Sequence, residues 1–282
     1  MLIPVMTLHI RNTLLKGLFA VSCVSIIALI VSGIVSVQTG HFFFPPNINR
    51  PLPLSNTQPL LRAELIPTFA AIAVLVLYVP VTALKLFFTF EKTKSMEVYF
   101  LMIFLVSCLA EGCRFLFPFG NLWFHYSALF SFLTRLLFCA RLIAPFCFFL
   151  AAFLTATNQP QNADRASIIL FTLSLGFAAI IPINTFHVLS TSMIAYGYST
   201  VFAAISICVS LLTFISFNLI AAQRSTATPE YLRVPFGYLP LITGYHFLLF
   251  SDNYLLTISG TALLGAGTVI YIRYLHRYYM MQ

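Results

Sequence analysis

Residues 166–223 contain no Asp, Glu, Lys or Arg in 58 positions. As one helix this stretch would be about 87 Å long, almost three times the roughly 30 Å hydrocarbon core of a bilayer. It is therefore expected to cross a membrane twice, with the break near His187 to Ser192, after Pro182. Similar apolar runs fill the rest of the chain, which is 60% hydrophobic and only 8% charged. The sequence predicts an all-α fold, a polytopic transmembrane helix bundle.

The apolar runs divide the chain into about eight spans within a single integral membrane domain. We predict these spans at residues 17–39, 65–90, 97–118, 127–156, 166–187, 195–222, 234–250 and 254–272. The first is expected to be a retained span rather than a cleaved signal peptide, because no Ala-x-Ala-like site follows it. The seventh has two prolines and two glycines, which indicates either a kinked helix or a broken, re-entrant segment.

Residues 40–63 form the only long connection between the predicted spans. They include five prolines, a density that excludes a regular helix and favours extended backbone. We interpret the segment as an outer Pro-rich loop that caps the bundle. The alternative is a lid that contacts a ligand.

Lysine and arginine are distributed unevenly between the two sides of the eight-span topology. One side holds ten of them: Arg11, Lys16, Lys85, Lys92, Lys94, Arg165, Arg224, Arg233, Arg273 and Arg277. The other side holds only Arg50 and Arg62. Because basic loops stay in the cytoplasm, both termini are predicted to be cytoplasmic and the 40–63 loop to lie outside. The chain is expected in the cell (inner) membrane, with the lipid bilayer as its first partner.

The composition and motifs argue against several functional classes. The net charge of +8 comes from basic residues spread over short loops, so no nucleic-acid partner is predicted. All six cysteines fall in apolar runs without a Cys-x-x-Cys pair, and no two histidines have metal-ligand spacing on one helix. Neither a disulfide framework nor a metal is therefore predicted. No catalytic motif is present, so we expect no enzymatic activity and no cofactor.

Four charged residues stand inside apolar runs, and these are Glu111, Arg114, Arg135 and Arg141. A charge at a helix centre costs about 2.5 to 3.5 kcal/mol on insertion scales, so each needs a partner or water. In the predicted topology Glu111 and Arg141 each lie about 9 Å below the outer surface, on helices joined by a short turn. We therefore expect them to form an ion pair.

Two interpretations of these charges remain open. In the first, the Glu111–Arg141 pair is a structural clasp, while Arg114 and Arg135 extend to the membrane surface. In the second, the same four residues form an outward-facing basic pocket for a small anion or a lipid head group, held by planar guanidinium groups. His246, near the outer end of the interrupted seventh span, is a further candidate for ligand binding.

Small residues mark one face of each of two later spans. In the sixth span the face carries Ser199, Ser206, Ser210 and Thr213. It is interpreted as a packing or hydrogen-bonding stripe, with a transport path as the alternative. In the eighth span Thr257, Thr261 and Gly265 are spaced as a ridge for close helix packing.

A series of features between residues 65 and 277 is similar to a known family. The features are the polar hairpin Glu91 to Ser95, Tyr99-Phe100, the Glu-x-x-Arg at 111 to 114, Trp123, and the long span with Phe146 to Leu154. In hydropathy and spacing they resemble the seven-span sensor module of bacterial membrane receptors with diverse intracellular signalling modules. The resemblance implies sensing at the outer face and relay to the cytoplasm. Because no kinase, cyclase or phosphatase domain follows, it also implies a separate cytoplasmic or membrane output partner.

The expected function is therefore that of a non-enzymatic, sensor-like or interaction module with an outward-facing basic pocket. The alternative is a transporter or permease subunit for a small anionic or amphipathic solute, which the hydroxyl-rich spans and the interrupted seventh span favour. However, the halves of the chain show no internal repeat of the kind that many transporters have. An intramembrane enzyme acting on lipid or peptide is the third class, and no motif supports it.

Overall fold

The structure, a computed structural model, describes residues 8–40, 48–49, 60, 64–93, 95–120, 122, 128–157, 162–189, 191–224 and 229–280. Most of the predicted 40–63 loop lies outside these residues, as do Trp123 and the two basic residues Arg50 and Arg62. The choice between a capping loop and a ligand-contacting lid therefore stays a prediction.

Eight helices form in the part of the chain that the structure describes. They are α1 (Leu8–Gln38), α2 (Leu65–Phe90), α3 (Met96–Phe119), α4 (Ala128–Ala156), α5 (Ala163–Ile180), α6 (Ser199–Arg224), α7 (Val234–Leu249) and α8 (Tyr254–Met280). All except α7 are long and apolar enough to cross a membrane. The predicted multi-pass, helical membrane bundle is therefore confirmed.

Helix α7 is the short member of the bundle, with 16 residues. It would be about 24 Å long, and a 3-10 helix, Pro229–Arg233, leads directly into it. Pro235 falls in the first turn, where no backbone donor is needed, whereas Pro240 lies inside the helix. The segment is thus one helix from Val234 to Leu249, rather than two pieces.

The bundle is built around α3 and α4. In their most apolar windows 67% of α3 and 72% of α4 is buried, against 6% for α1. The two helices pack against each other, α2 covers α3, and α5 and α6 cover α4. Helix α1 packs mainly on α2 and leaves apolar side chains exposed along its length, as expected for a helix that faces lipid.

One end of the bundle carries a small β-sheet, which differs from the prediction. The fifth span was expected to be helical to residue 187, but α5 ends at Ile180 and strand β2 (Ile183–Leu189) follows. Pro182 cannot donate a helical hydrogen bond, and the β-branched residues after it favour extended backbone. β2 pairs antiparallel with β3 (Ile194–Tyr196) and parallel with β1 (Ile48–Asn49). We call this end the hairpin end.

The opposite end, where α1 begins and α8 ends, is the terminal end. There Arg11 in α1 donates hydrogen bonds to the carbonyls of Phe90 and Thr93, and Asn12 Nδ2 donates to the Glu91 carbonyl at 2.9 Å. These acceptors are the last carbonyls of α2 and the turn after it, which have no helical donor. Helix α1 is therefore attached to α2 by polar as well as apolar contacts.

Helices α7 and α8 approach each other closely through glycines. A Cβ atom on Gly244 would lie 2.3 Å from the Leu264 nitrogen, and one on Gly267 would lie 2.3 Å from the Leu241 nitrogen. The ridge predicted on α8 was therefore partly wrong, because Thr261 is exposed and Gly265 has no neighbour within 4 Å. The packing face instead runs through the buried residues Gly260, Leu264 and Gly267.

Candidate functional site

The charged cluster consists of Glu111 and Arg114 of α3 with Arg141 of α4. Glu111 Oε1 accepts from Arg141 Nε at 2.8 Å, and Glu111 Oε2 accepts from Arg141 Nη2 at 3.0 Å. Arg114 Nη1 donates to the same Oε2 at 3.2 Å. Glu111 and Arg114 are completely buried, and Arg141 is 3% exposed. The structure thus joins three of the five candidate residues in one bidentate ion pair with a second arginine attached.

A local change in helix geometry positions Glu111 and Arg114. Residues Glu111–Phe115 form a 3-10 segment within α3. With three residues per turn, side chains three apart lie directly above each other, so Arg114 reaches the carboxylate of Glu111. Gly112 makes room for α2, since a Cβ there would lie 2.9 Å from Val76 Cγ2. The charged side chains point away from α2, toward α4.

The charges of this cluster do not balance. It contains one carboxylate and two guanidiniums, and the described residues add no second carboxylate in contact with them. Burying an unpaired charge is costly, and buried charges are normally paired or bound to an ion. The cluster therefore holds one positive charge in excess, in the buried interior of the bundle.

Polar atoms without partners surround this excess charge. Among the described residues five buried polar atoms have no hydrogen-bond partner: Arg114 Nε, Tyr245 Oη and Ser192 Oγ in this region, and Tyr271 Oη and His276 Nδ1 on α8. Tyr245 of α7 lies within electrostatic range of both arginines. Buried polar groups are nearly always hydrogen-bonded, so three unmet atoms at one place favour a bound water or ligand.

The β2–β3 turn covers the charged cluster at the hairpin end. Arg114 Nη2 donates to the carbonyl of Thr191 in this turn. The next residue, Ser192, has φ 57°, a left-handed conformation that is uncommon outside glycine. Met193 is 1% exposed, and the ring of Tyr196 in β3 packs on Phe138 of α4 with centroids 4.4 Å apart. The hairpin is therefore part of the packed core, and Arg114 connects it to α3.

A cavity of about 460 Å³, which we call the lateral cavity, lies between α6 and α7 next to the charged cluster. Its polar wall includes Arg141, together with Ser206 and Ser210 of α6 and His246 of α7. His246 Nε2 is 3.3 Å from Ser206 Oγ and 3.5 Å from Ser210 Oγ. His246 is thus brought near the arginine, and Arg141 belongs to both the charged cluster and the cavity.

Arg114 differs from its predicted position, and Arg135 lies apart from the charged cluster. Arg135 Nη1 donates to the carbonyls of Ala178 and Ala179 near the end of α5 and does not line the lateral cavity. A guanidinium is well placed there, because the last carbonyls of a helix lack donors and carry partial negative charge. Arg114 was expected to be able to reach the membrane surface, but it is completely buried because its head is bonded to Glu111 and Thr191.

A second buried carboxylate, Glu97, was not singled out from the sequence. It is 0% exposed and accepts hydrogen bonds from four hydroxyl groups at the terminal end. The donors are Ser95 at 3.0 Å, Thr155 at 3.3 Å, Tyr231 at 3.1 Å and Tyr279 at 2.8 Å. We call Glu97 and these donors the hydroxyl cluster. The only sequence signal was the N-cap serine before the first turn of α3, which places a carboxylate at a favourable helix end.

The chain matches no model of a protein family, and no curated protein is similar to it in sequence.

Proposed function

We propose that this protein is a non-enzymatic, sensor-like module of the cell membrane that binds a small anion or a lipid head group at its charged cluster. The observation that supports this most directly is the excess of one buried guanidinium over the available carboxylate. An anion beside Arg114 and Arg141 would neutralise that charge. Planar guanidiniums suit carboxylate and phosphate groups because their donors are arranged as a fork.

The proposal places the hairpin end outside the cell and both termini in the cytoplasm. Its support is the ten-to-two distribution of basic residues, which follows the positive-inside rule. Reporter fusions at Gln282 and after Pro53 should report opposite sides of the membrane. Reporters on the same side would contradict the eight-span topology.

A signal would pass from the anion to the terminal end through α3 and α4. These helices carry Glu97 and Thr155 at the terminal end, and Glu111 and Arg141 farther along toward the hairpin end. An anion that competes for the guanidinium of Arg114 would weaken the hydrogen bond from Arg114 to Thr191 in the hairpin. The α3–α4 pair would then shift between two arrangements. A cytoplasmic or membrane output partner would sense the hydroxyl-cluster end.

Isothermal titration calorimetry of the purified protein with glycerol phosphate, a mimic of a lipid head group, tests the binding step. We expect Arg114→Gln to weaken binding roughly tenfold or more, since a hydrogen bond to a charged group contributes about 1.5 to 3 kcal/mol. Arg135→Gln is the matched control, because it removes an arginine outside the cluster and should bind like the wild type. Equal affinity in all three proteins would contradict the proposal.

The lateral cavity favours one second candidate, a transporter for a small anionic or amphipathic solute. Its support is the pair of hydroxyl groups on α6, from Ser206 and Ser210, that line the cavity together with Arg141. A transporter must expose its site to both sides in turn. Proteoliposomes should then accumulate labelled glycerol phosphate with wild-type protein and not with Arg114→Gln. Binding without uptake would leave the sensor-like function.

A further inference from the structure

The wall of the lateral cavity is mostly hydrocarbon. Of its 16 lining residues, ten carry purely apolar side chains, and the remaining six are Arg141, Ser206, Ser210, Tyr238, Thr243 and His246. Pockets for small molecules are typically about 300 to 1,000 Å³, mostly apolar, with a few polar groups that fix the orientation. At about 460 Å³ this cavity has the size and composition for a ligand with one hydrocarbon chain.

The cavity opens sideways, between helices that face lipid. Four of its lining residues are also largely exposed: Ile207 at 56%, Leu211 at 53%, Leu239 at 43% and Phe250 at 45%. Residues that both line a cavity and lie exposed must surround its mouth. Since all four are apolar, the mouth faces the hydrocarbon of the bilayer and not water.

The inner end of the cavity is cationic. Arg141 uses Nε and Nη2 to bind Glu111, while Nη1 has no hydrogen-bond partner among the described residues. Ser206, Ser210 and His246 line the same cavity and provide further donors and acceptors. An anionic group that reached this point would meet a guanidinium already held in place by its carboxylate partner, so little ordering would be needed to bind it.

We propose that the lateral cavity binds a single-chain anionic amphiphile from the bilayer, with its hydrocarbon chain between α6 and α7 and its carboxylate or phosphate head at Arg141. This inference rests on the proposed anion-binding function and specifies its ligand class. The amphiphile enters between α6 and α7 from the membrane. Its chain fills apolar space that a free small anion would leave empty, so butanoate should bind more weakly than hexadecanoate.

Photolabelling of the purified full chain in neutral-lipid nanodiscs tests this inference in the wild type. The probe is hexadecanoic acid with a diazirine on its chain, and the competitors are butanoate, octanoate, hexadecanoate and uncharged hexadecanol, compared at equal mole fractions in the bilayer. We expect labelled peptides from α6 and α7, and competition at least roughly tenfold stronger for hexadecanoate than for uncharged hexadecanol, since a hydrogen bond to a charged group contributes about 1.5 to 3 kcal/mol. Butanoate competing as well as hexadecanoate, or hexadecanol competing equally, would overturn the inference.

A pair of neighbouring alanines supplies a matched test of the cavity itself. Ala203 lines the cavity, whereas Ala204 is exposed and does not. Ala203→Trp should fill the mouth and abolish labelling, while Ala204→Trp, with the same added volume on the lipid face, should keep it. Full labelling of Ala203→Trp would overturn the inference, and if that variant fails to fold, the competition series in the wild type decides alone.

Glycerol phosphate binding separates failure of this inference from failure of the proposed function. If the wild type binds glycerol phosphate in an Arg114-dependent manner but chain length has no effect, only the amphiphile is excluded. If neither glycerol phosphate nor the photoprobe binds, both proposals fail. If phosphate and carboxylate amphiphiles of equal length compete equally, the site recognises the negative charge rather than one head group.

Discussion

Helix α3 carries two buried carboxylates, one toward each end of the bundle, and they are bound by different kinds of donor. Glu111 at the hairpin end is bound by two guanidiniums, and Glu97 at the terminal end by four hydroxyl groups. Hydroxyls add no charge, and the described residues bring no arginine or lysine to Glu97. The hydroxyl cluster therefore meets its carboxylate with hydrogen bonds alone, whereas the charged cluster holds two guanidiniums against one carboxylate.

This contrast suggests different roles, with the hydroxyl cluster as a structural connection and the charged cluster as a binding site. The four donors to Glu97 come from the N-cap of α3, from α4, from the 3-10 helix before α7 and from α8, so the carboxylate connects four elements. A carboxylate with four donors has filled its acceptor positions and needs no further ligand. Near Glu111, the excess guanidinium and a neighbouring cavity provide both a reason and a space for one.

The largest effect is expected from removing the acid of the charged cluster. Glu111→Ala leaves two buried guanidiniums without a carboxylate and should lower the free energy of unfolding by about 3 to 5 kcal/mol. Adding Arg141→Ala should recover much of that loss, because only one unpaired charge then remains. Denaturant titration of the single and double variants in mixed micelles measures this. A double variant that loses the sum of the two single losses would show that the residues are not coupled.

A smaller loss in the free energy of unfolding is expected from changing Glu97. Glu97→Gln keeps the shape of the side chain but weakens the four hydrogen bonds to it. We therefore expect the free energy of unfolding to fall by about 2 kcal/mol. The hydroxyl donors can rotate and rebond, whereas the guanidiniums cannot lose their charge. Glu91→Gln, in the exposed turn before α3, is the control and should change stability by less than about 0.5 kcal/mol. A loss at Glu97 as large as that of Glu111→Ala would contradict the contrast between the clusters.

The two clusters also differ in how much of each could be predicted from the sequence. Glu111 and Arg141 stand alone in apolar sequence and lie at matching depths, so helix geometry alone indicates that they meet. Glu97 lies two residues after the polar hairpin that ends at Ser95, where a charge is expected to be solvated. Its donors Thr155, Tyr231 and Tyr279 are 58, 134 and 182 residues away, and no local pattern brings them together.

The hairpin and the lateral cavity were missed for related reasons. Residues 183–196 are uncharged and largely apolar, and hydropathy does not distinguish a strand from the end of a membrane helix. Only Pro182 and the β-branched residues after it carried a signal. The hydroxyl stripe on α6 was visible, but its contact with His246 depends on which helices are neighbours. Helix order in a bundle comes from side-chain packing, which periodicity does not encode.

Removing one hydroxyl donor measures how much a single hydrogen bond to Glu97 contributes to the stability of the hydroxyl cluster. Tyr279 makes the shortest of the four hydrogen bonds to Glu97, at 2.8 Å. Tyr279→Phe keeps the ring and should lower the free energy of unfolding by about 1.5 kcal/mol, the lower part of the range for a hydrogen bond to a charged group. Tyr198→Phe is the control, since Tyr198 is 72% exposed and should be neutral. An unchanged stability in Tyr279→Phe would mean that three donors suffice for Glu97.

The smallest effect on stability is expected from Arg114→Gln, although Arg114 is a charged donor and Tyr279 is a neutral one. The substitution removes hydrogen bonds to Glu111 and Thr191 but also removes the excess buried charge, and the Glu111–Arg141 pair stays neutral and intact. These changes oppose each other, so the free energy of unfolding should stay within about 1 kcal/mol of the wild type. The measurement is the same denaturant titration, made without added anion. A loss of about 3 kcal/mol or more would show that Arg114 is a structural member of the cluster, and the excess charge would then no longer indicate a ligand.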